Sequence, residues 1–213
     1  MVQMHSIIIF DMDDTLVGTH DLIAASFEHA IAEYSSRKLE EDEVAMISGY
    51  SLSRVLSQRV PSHYLDKALE RYHGYFRDHF GTTAKTYTSM KQALTLLREK
   101  DTDLAVLTGA NRKWTEITLQ ESSLSSFFSV VLTADEVNHP KPDPEGLIAI
   151  MKQLGADIEH TTYVGDEVKD IRTSRNASVR AVGALWGSWE KEKLASAADL
   201  ILDEPLDLVR LLR

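Results

Sequence analysis

The sequence predicts an α/β protein, a parallel sheet core interrupted early by an inserted α-helical block. Three observations predict it: a short apolar strand close to the N-terminus, about sixty residues of helical periodicity with no strand signal, and a long stretch in which strands and helices alternate. At 213 residues the chain is longer than a typical compact domain and shorter than two large ones. A main domain carrying a smaller insertion fits that length.

The first strand is His5 to Phe10, where Ile7, Ile8, Ile9 and Phe10 run without polar interruption into an acidic turn. Such a run suits a strand buried on both faces, the normal state of a strand inside a parallel sheet. From Asp21 to Phe80 the period becomes helical. Ile23, Phe27, Ala30, Ile31 and Tyr34 share one face, and Leu65, Ala68, Leu69, Tyr72 and Phe76 share another. Two shorter helices are expected between them, Glu41 to Ile47 and Leu52 to Gln58, with Gly49 as a stop and Ser51 as an N-cap.

After Thr86 the alternation begins: helix Ser89 to Lys100, strand Asp103 to Thr108, helix Lys113 to Gln120, strand Ser129 to Leu132, helix Glu145 to Leu154, strand Thr161 to Val164. It continues with helix Val168 to Ala177, strand Arg180 to Val182, helix Glu190 to Ser196, strand Leu200 to Leu202 and a terminal helix. The expected division is a core of residues 1–18 and 86–213 with a helical cap at 19–85. Hinges are expected at Val17 to His20 and Gly81 to Tyr87, which contain Gly and Thr.

Composition narrows the function classes. The formal net charge of −10 argues against a nucleic-acid surface, which needs clustered Lys and Arg. The chain has no Cys, which removes disulfides, thiolate metal sites and cysteine nucleophiles and is compatible with a reducing cytoplasm. No run approaches the roughly 20 apolar residues of a membrane span, so a soluble cytoplasmic protein with no membrane partner is expected.

In an open parallel sheet, ligands bind beyond the carboxyl ends of the strands. Those ends read Asp11-Met12-Asp13-Asp14-Thr15, then Thr108-Gly109-Ala110-Asn111, then His139-Pro140-Lys141-Pro142, then Gly165-Asp166-Glu167 with Asp170 one helical turn on. Each alone is also an ordinary turn or helix cap. Together they bring acids, a hydroxyl, a cation and further acids to one edge. A carboxylate such as Asp11 can attack phosphorus to form an aspartyl-phosphate. Asp13, two residues on, is placed to protonate the leaving oxygen and then activate water. Converging carboxylates call for a hard cation, and Mg²⁺ prefers oxygen. Asp11, Asp166 and the carbonyl of Asp13 would hold it, with Asp170 or Glu167 acting through water. Thr108, the amides of Gly109 to Asn111 and the Lys141 ammonium would neutralise the phosphoryl oxygens.

The strings IIIFDMDDTLV, LAVLTGA, HPKPDP and YVGDEVKD resemble, in order, the four motifs of the haloacid dehalogenase-like superfamily. With the helical insertion the resemblance covers essentially the whole chain and is closest to the phosphoglycolate phosphatase-like branch. It implies a Rossmann-like core, a helical cap over the site, Mg²⁺, and hydrolysis of a small phosphate ester, with phosphoglycolate as first candidate. Ser48-Gly49-Tyr50-Ser51 followed by Arg54 resembles the specificity loop of such a cap. Arg54 would pair with a substrate carboxylate or second phosphate. Gly18-Thr19 stands where relatives often have Asp-Ser, and SRNASV where they have a small Ala-Gly pair.

Asp13 speaks for an oxygen leaving group, because the founding dehalogenases lack a second acid in the first motif. Lys38, Lys67 and Lys85 read as solvated cations rather than the Schiff-base lysine of phosphonate hydrolases. Phosphosugar mutases share every core residue and remain an alternative, as do pyrophosphatases and nucleotidases. A non-catalytic binding domain would commonly have lost a nucleophile or metal ligand, and none is missing. His20 could contact substrate and His139 just precedes Lys141, but both read first as polar packing; Trp186 and Trp189 could border the entrance, but read first as packing under the last helices. Oligomeric state is not encoded in any of these features.

Overall fold

The structure, a computed structural model, describes residues 6–35 and 52–212. The expected helix Glu41 to Ile47, Lys38 and the loop Ser48 to Ser51 with Gly49 lie outside the described residues. The chain divides into two compact units, one of residues 1–17 and 86–213 and one of residues 18–85.

The first unit is a six-stranded sheet in the order β5-β4-β1-β6-β7-β8, comprising β1 Ile7–Phe10, β4 Asp103–Leu107, β5 Val130–Leu132, β6 Thr161–Gly165, β7 Arg180–Ala184 and β8 Leu200–Leu202. Every pairing is parallel. All four residues of β1 are buried, as its unbroken apolar run requires. Ile7, Ile9, Ala105, Leu107 and Tyr163 join Leu147, Ile150 and Met151 of the helix Glu145–Leu154 in one apolar cluster.

The strand order positions the site. The chain runs from β1 outward through β4 to β5, then returns to β6 on the other side of β1. The connections therefore diverge around β1, leaving a crevice at its carboxyl end. Asp11 extends β1 by one rung, its amide donating to the Val164 carbonyl at 2.8 Å.

In the second unit the helix His20–Ile31 packs on the helix Leu65–Thr83. Phe27, Ala30 and Ile31 on the first and Ala68, Tyr72 and Phe76 on the second are buried, as the helical period predicts. Lys67 and Arg71 pair with Glu33 on its surface.

Several elements differ from expectation. Part of the segment expected as the second hinge is helical, because the helix Leu65–Thr83 continues through Gly81. Val17–Gly18 and Lys85–Thr86 form a two-stranded sheet, β2 and β3, rather than loops. β7 extends two residues past Val182, where β6 pairs with Gly183 and β8 with both Gly183 and Ala184. The terminal helix is a 3-10 helix, Pro205–Leu211. Pro205, Leu208 and Leu211 are its buried residues, a spacing of three that a 3-10 turn places on one face.

Candidate active site

The turn after β1 is tight. The amides of Leu16 and Val17 both donate to the Met12 carbonyl, and the Asp14 amide donates to the Val17 carbonyl. Asp14 takes the left-handed conformation at φ 57°, which Asp tolerates better than most residues. The exit loop of β7 supports this turn from below. Trp186 Nε1 donates to the Thr15 carbonyl at 2.9 Å, and the Trp186 ring meets the edge of Tyr87. A side chain at Gly187 would fall onto the Asp14 carbonyl oxygen, so only glycine lets the two loops approach this closely.

Asp11, Asp166 and Asp170 converge there, offering carboxylate oxygens within 4.8 Å of one another, and all three are buried. Each is fixed by a different part of the fold. Asp166 accepts from Thr15 Oγ1 at 2.6 Å, across 151 residues of sequence. Asp170 accepts the Glu167 amide on Oδ2, and a side chain at Gly165 would strike the Asp170 carboxyl group. Lys141 bridges two acids, with Nζ 2.7 Å from Asp11 Oδ1 and 2.7 Å from Asp170 Oδ1. Its third contact is Tyr163 Oη at 3.1 Å. An ammonium has three hydrogens, and these three acceptors account for all of them.

The electrostatics follow from three buried acids sharing one cation. Burial pushes Asp11 up to about 7, with Lys141 opposing. One ammonium divided between two carboxylates returns less than desolvation costs. Asp166 is raised by burial and by the charges of Asp11 and Asp170. Burial is the largest influence on Asp170 and acts to raise it, but the charges of Lys141 and Lys169, with the hydrogen bonds from Lys141 and the Glu167 amide, together hold the carboxyl below its ordinary value. Lys141 itself is pulled down by burial and pushed further up by Asp11 and Asp170. A buried set of oxygen donors with excess negative charge suits a hard divalent cation, which would relieve the repulsion that raises Asp11 and Asp166.

The other expected residues are placed as follows. Asp13 is half-buried in the turn after β1. Thr108 is buried at the end of β4 and its Oγ1 accepts the Ala110 amide at 3.0 Å; Gly109 beside it is exposed. Asn111 has its side chain committed, with Oδ1 capping the helix Arg112–Glu121 by accepting from the Trp114 amide. Glu167 likewise caps the helix Val168–Asn176 and pairs with Lys169 at 2.8 Å. Arg54 is exposed on the short helix Leu52–Leu56 of the second unit.

Trp189 corrects an expectation. It is 63% exposed rather than buried under the last helices. Sequence reasoning also passed over Thr15 and Tyr163 as side chains of the site. Both sit inside the quoted strings; the spacing of Thr15 was a usable signal, whereas Tyr163 reads as an ordinary apolar strand residue.

A second group, His139, Asp143 and Glu145, also gathers potential ligand atoms. Here the contacts are local. Glu145 accepts the amides of Asn138 and His139 at 2.9 Å each and contacts the His139 ring at 2.8 Å.

Residues 8–184 match the family model of the haloacid dehalogenase-like hydrolases. The chain belongs to that family. It is 31% identical over 206 residues to the pyrophosphatase PpaX of Anoxybacillus flavithermus, covering 96% of this chain and 95% of that protein. Among solved structures, a predicted phosphoglycolate phosphatase from Haemophilus somnus superposes with a TM-score of 0.87 at 21% identity, over 100% of both chains. A provisionally assigned beta-phosphoglucomutase from Thermotoga maritima does so at 0.78 and 21% identity, covering 97% of this chain and 98% of that one. These two likenesses establish a shared fold. No helix among the described residues is long and apolar enough to cross a membrane.

Proposed function

We propose that this protein is a Mg²⁺-dependent phosphohydrolase that transfers a phosphoryl group to Asp11 and then to water. The observation that carries this reading is the convergence of Asp11, Asp166 and Asp170 on one buried point with Lys141 between two of them.

An Asp11 oxygen attacks phosphorus, and the bond to the leaving oxygen breaks with its electron pair on that oxygen. Asp13 gives the leaving oxygen a proton. In the second half Asp13 takes a proton from water, the water oxygen attacks phosphorus, and the bond to Asp11 breaks. Lys141 orients the Asp11 carboxylate, while Thr108 and the main chain at Gly109 and Asn111 receive phosphoryl oxygens. Asp11, Asp166 and the Asp13 carbonyl would hold Mg²⁺, with Asp170 supporting the site through Lys141 and water. The ion supplies positive charge to the phosphoryl oxygens.

The likeness to proteins named pyrophosphatase PpaX supports placing inorganic pyrophosphate ahead of phosphoglycolate among substrates. Gly49 and Arg54, in the helical cap of residues 19–85, are proposed to select between them. Phosphate release from pyrophosphate, phosphoglycolate, nucleoside monophosphates and a hexose 1-phosphate, each with Mg²⁺ and with EDTA, tests the reading. Turnover of at least one compound is expected with Mg²⁺ and none with EDTA, restored when Mg²⁺ is returned. Undiminished turnover in EDTA, or none under any condition, would refute it.

A further inference from the structure

Tyr163 opens the fourth motif string, YVGDEVKD, yet none of the roles drawn from that string uses its phenol. We infer that Tyr163 is a positioning residue that fixes the Lys141 ammonium over Asp11 through its hydroxyl. The inference deepens the phosphoryl-transfer reading above and rests on it for its consequence in turnover.

Tyr163 lies in β6, paired with Ile9 of β1 on one side and Ala181 of β7 on the other, and is fully buried. An aliphatic residue would satisfy the strand and the apolar cluster equally well. A phenol adds one hydroxyl that must find partners inside the protein. It finds them in three different parts of the chain: the end of β4, the loop before the helix Glu145–Leu154 and the helix Val168–Asn176. Lys141 Nζ donates to it at 3.1 Å, and its single hydrogen has two acceptors within reach, the Leu107 carbonyl at 3.1 Å and Asp170 Oδ1 at 3.2 Å. The Leu107 carbonyl belongs to the peptide that leads into Thr108.

Lysine carries its charge on a flexible four-carbon stem, so an ammonium that must aim at one carboxylate oxygen needs more than one anchor. Asp11 is the group to be aimed at, which leaves Asp170 and Tyr163 as the anchors. The Lys141 side chain is only 6% exposed, so water is poorly placed to substitute for the hydroxyl. Removing it frees one N–H of the ammonium and lets the group swing away from Asp11.

The test has a part independent of turnover. In full-length protein carrying isotope-labelled lysine, a slowly exchanging ammonium resonance that vanishes in Lys141→Ala should show cross-peaks to the Tyr163 ring. In Tyr163→Phe the resonance should shift, and its hydrogen exchange should quicken about tenfold. An unchanged resonance, or none in the wild type, overturns the inference whatever the phosphate assays give. The wild-type measurement alone decides should the variant fail to fold.

In the assays, Tyr163→Phe should lower kcat about tenfold with KM within about twofold. Introduced into Lys141→Ala, it should change the residual rate little, since it acts through a group already removed. An equal loss in both backgrounds would reduce Tyr163 to packing. Should the wild type turn over no phosphate compound, the proposed function falls while the ammonium resonance still answers for Tyr163.

Discussion

Two groups of possible metal-ligand side chains among the described residues share close spacing and differ in burial and in how they are assembled. Asp11, Asp166 and Asp170 are buried and come from the ends of β1 and β6 and the helix after it. His139, Asp143 and Glu145 lie within seven residues, with His139 exposed and the two acids half-buried. The local group has an ordinary explanation, since Asp143 accepts the Glu145 amide and Glu145 secures the loop before its helix. Its hydrogen bonds hold Glu145 below the usual carboxylate range. The buried group shows the opposite: Asp11 and Asp166 are raised, carrying repulsion that local structure does not need. Sequestration, long-range assembly and electrostatic strain single out the buried group as the candidate site, and proximity of acids alone does not.

Asp11→Asn should separate the two groups most sharply, lowering turnover by at least about a thousandfold while the fold survives, as thermal melting and circular dichroism would show. Activity within about tenfold of wild type would remove Asp11 as nucleophile. Thr15→Val should act less strongly. It takes away the hydroxyl that orients Asp166 and should weaken Mg²⁺ affinity about tenfold in a titration of activity against Mg²⁺.

Stability should report the same contrast. An acid raised in the folded state binds more protons folded than unfolded, so its contribution falls as pH rises between its ordinary value of 3.8 and about 7. Asp166 acts in the same direction and Asp170 in the opposite one. Without divalent cations the melting temperature should therefore fall across that window, Mg²⁺ should restore it at neutral pH, and Asp11→Asn should flatten the slope. A melting temperature that rises through the window would contradict the electrostatics described for the buried group. The smallest effect belongs to Glu145→Ala, which should lower the melting temperature slightly and leave turnover within about twofold. A large loss of turnover there would give the exposed group a role in the chemistry.

Most of the architecture could be read from the sequence because the signals were periodic and local. The four buried residues of β1 announce a parallel sheet, and Leu147, Ile150 and Met151 announce the inward face of their helix. Asp11, Lys141, Asp166 and Asp170 were readable because a parallel sheet delivers its strand ends to one edge. What escaped was set by partners distant in sequence. The motif spacing marks Thr15 without naming Asp166 as the acid its hydroxyl serves, and the strand pattern at Tyr163 does not name Lys141. Trp189 escaped for a different reason: an aromatic residue is most simply expected to be buried, and here it is exposed. The terminal helix was expected, but its 3-10 form was not, because Pro205, Leu208 and Leu211 satisfy a period of three as readily as one of 3.6.

The contact between Gly187 and the Asp14 carbonyl sets how this site tolerates change. The floor beneath the first motif is in part peptide backbone, so the turn that carries Asp13 rests on the close main-chain approach at Gly187 together with the Trp186 bond to the Thr15 carbonyl. Substitutions around the rim can accumulate without tilting that platform, whereas a single methyl group added at residue 187 would lift it.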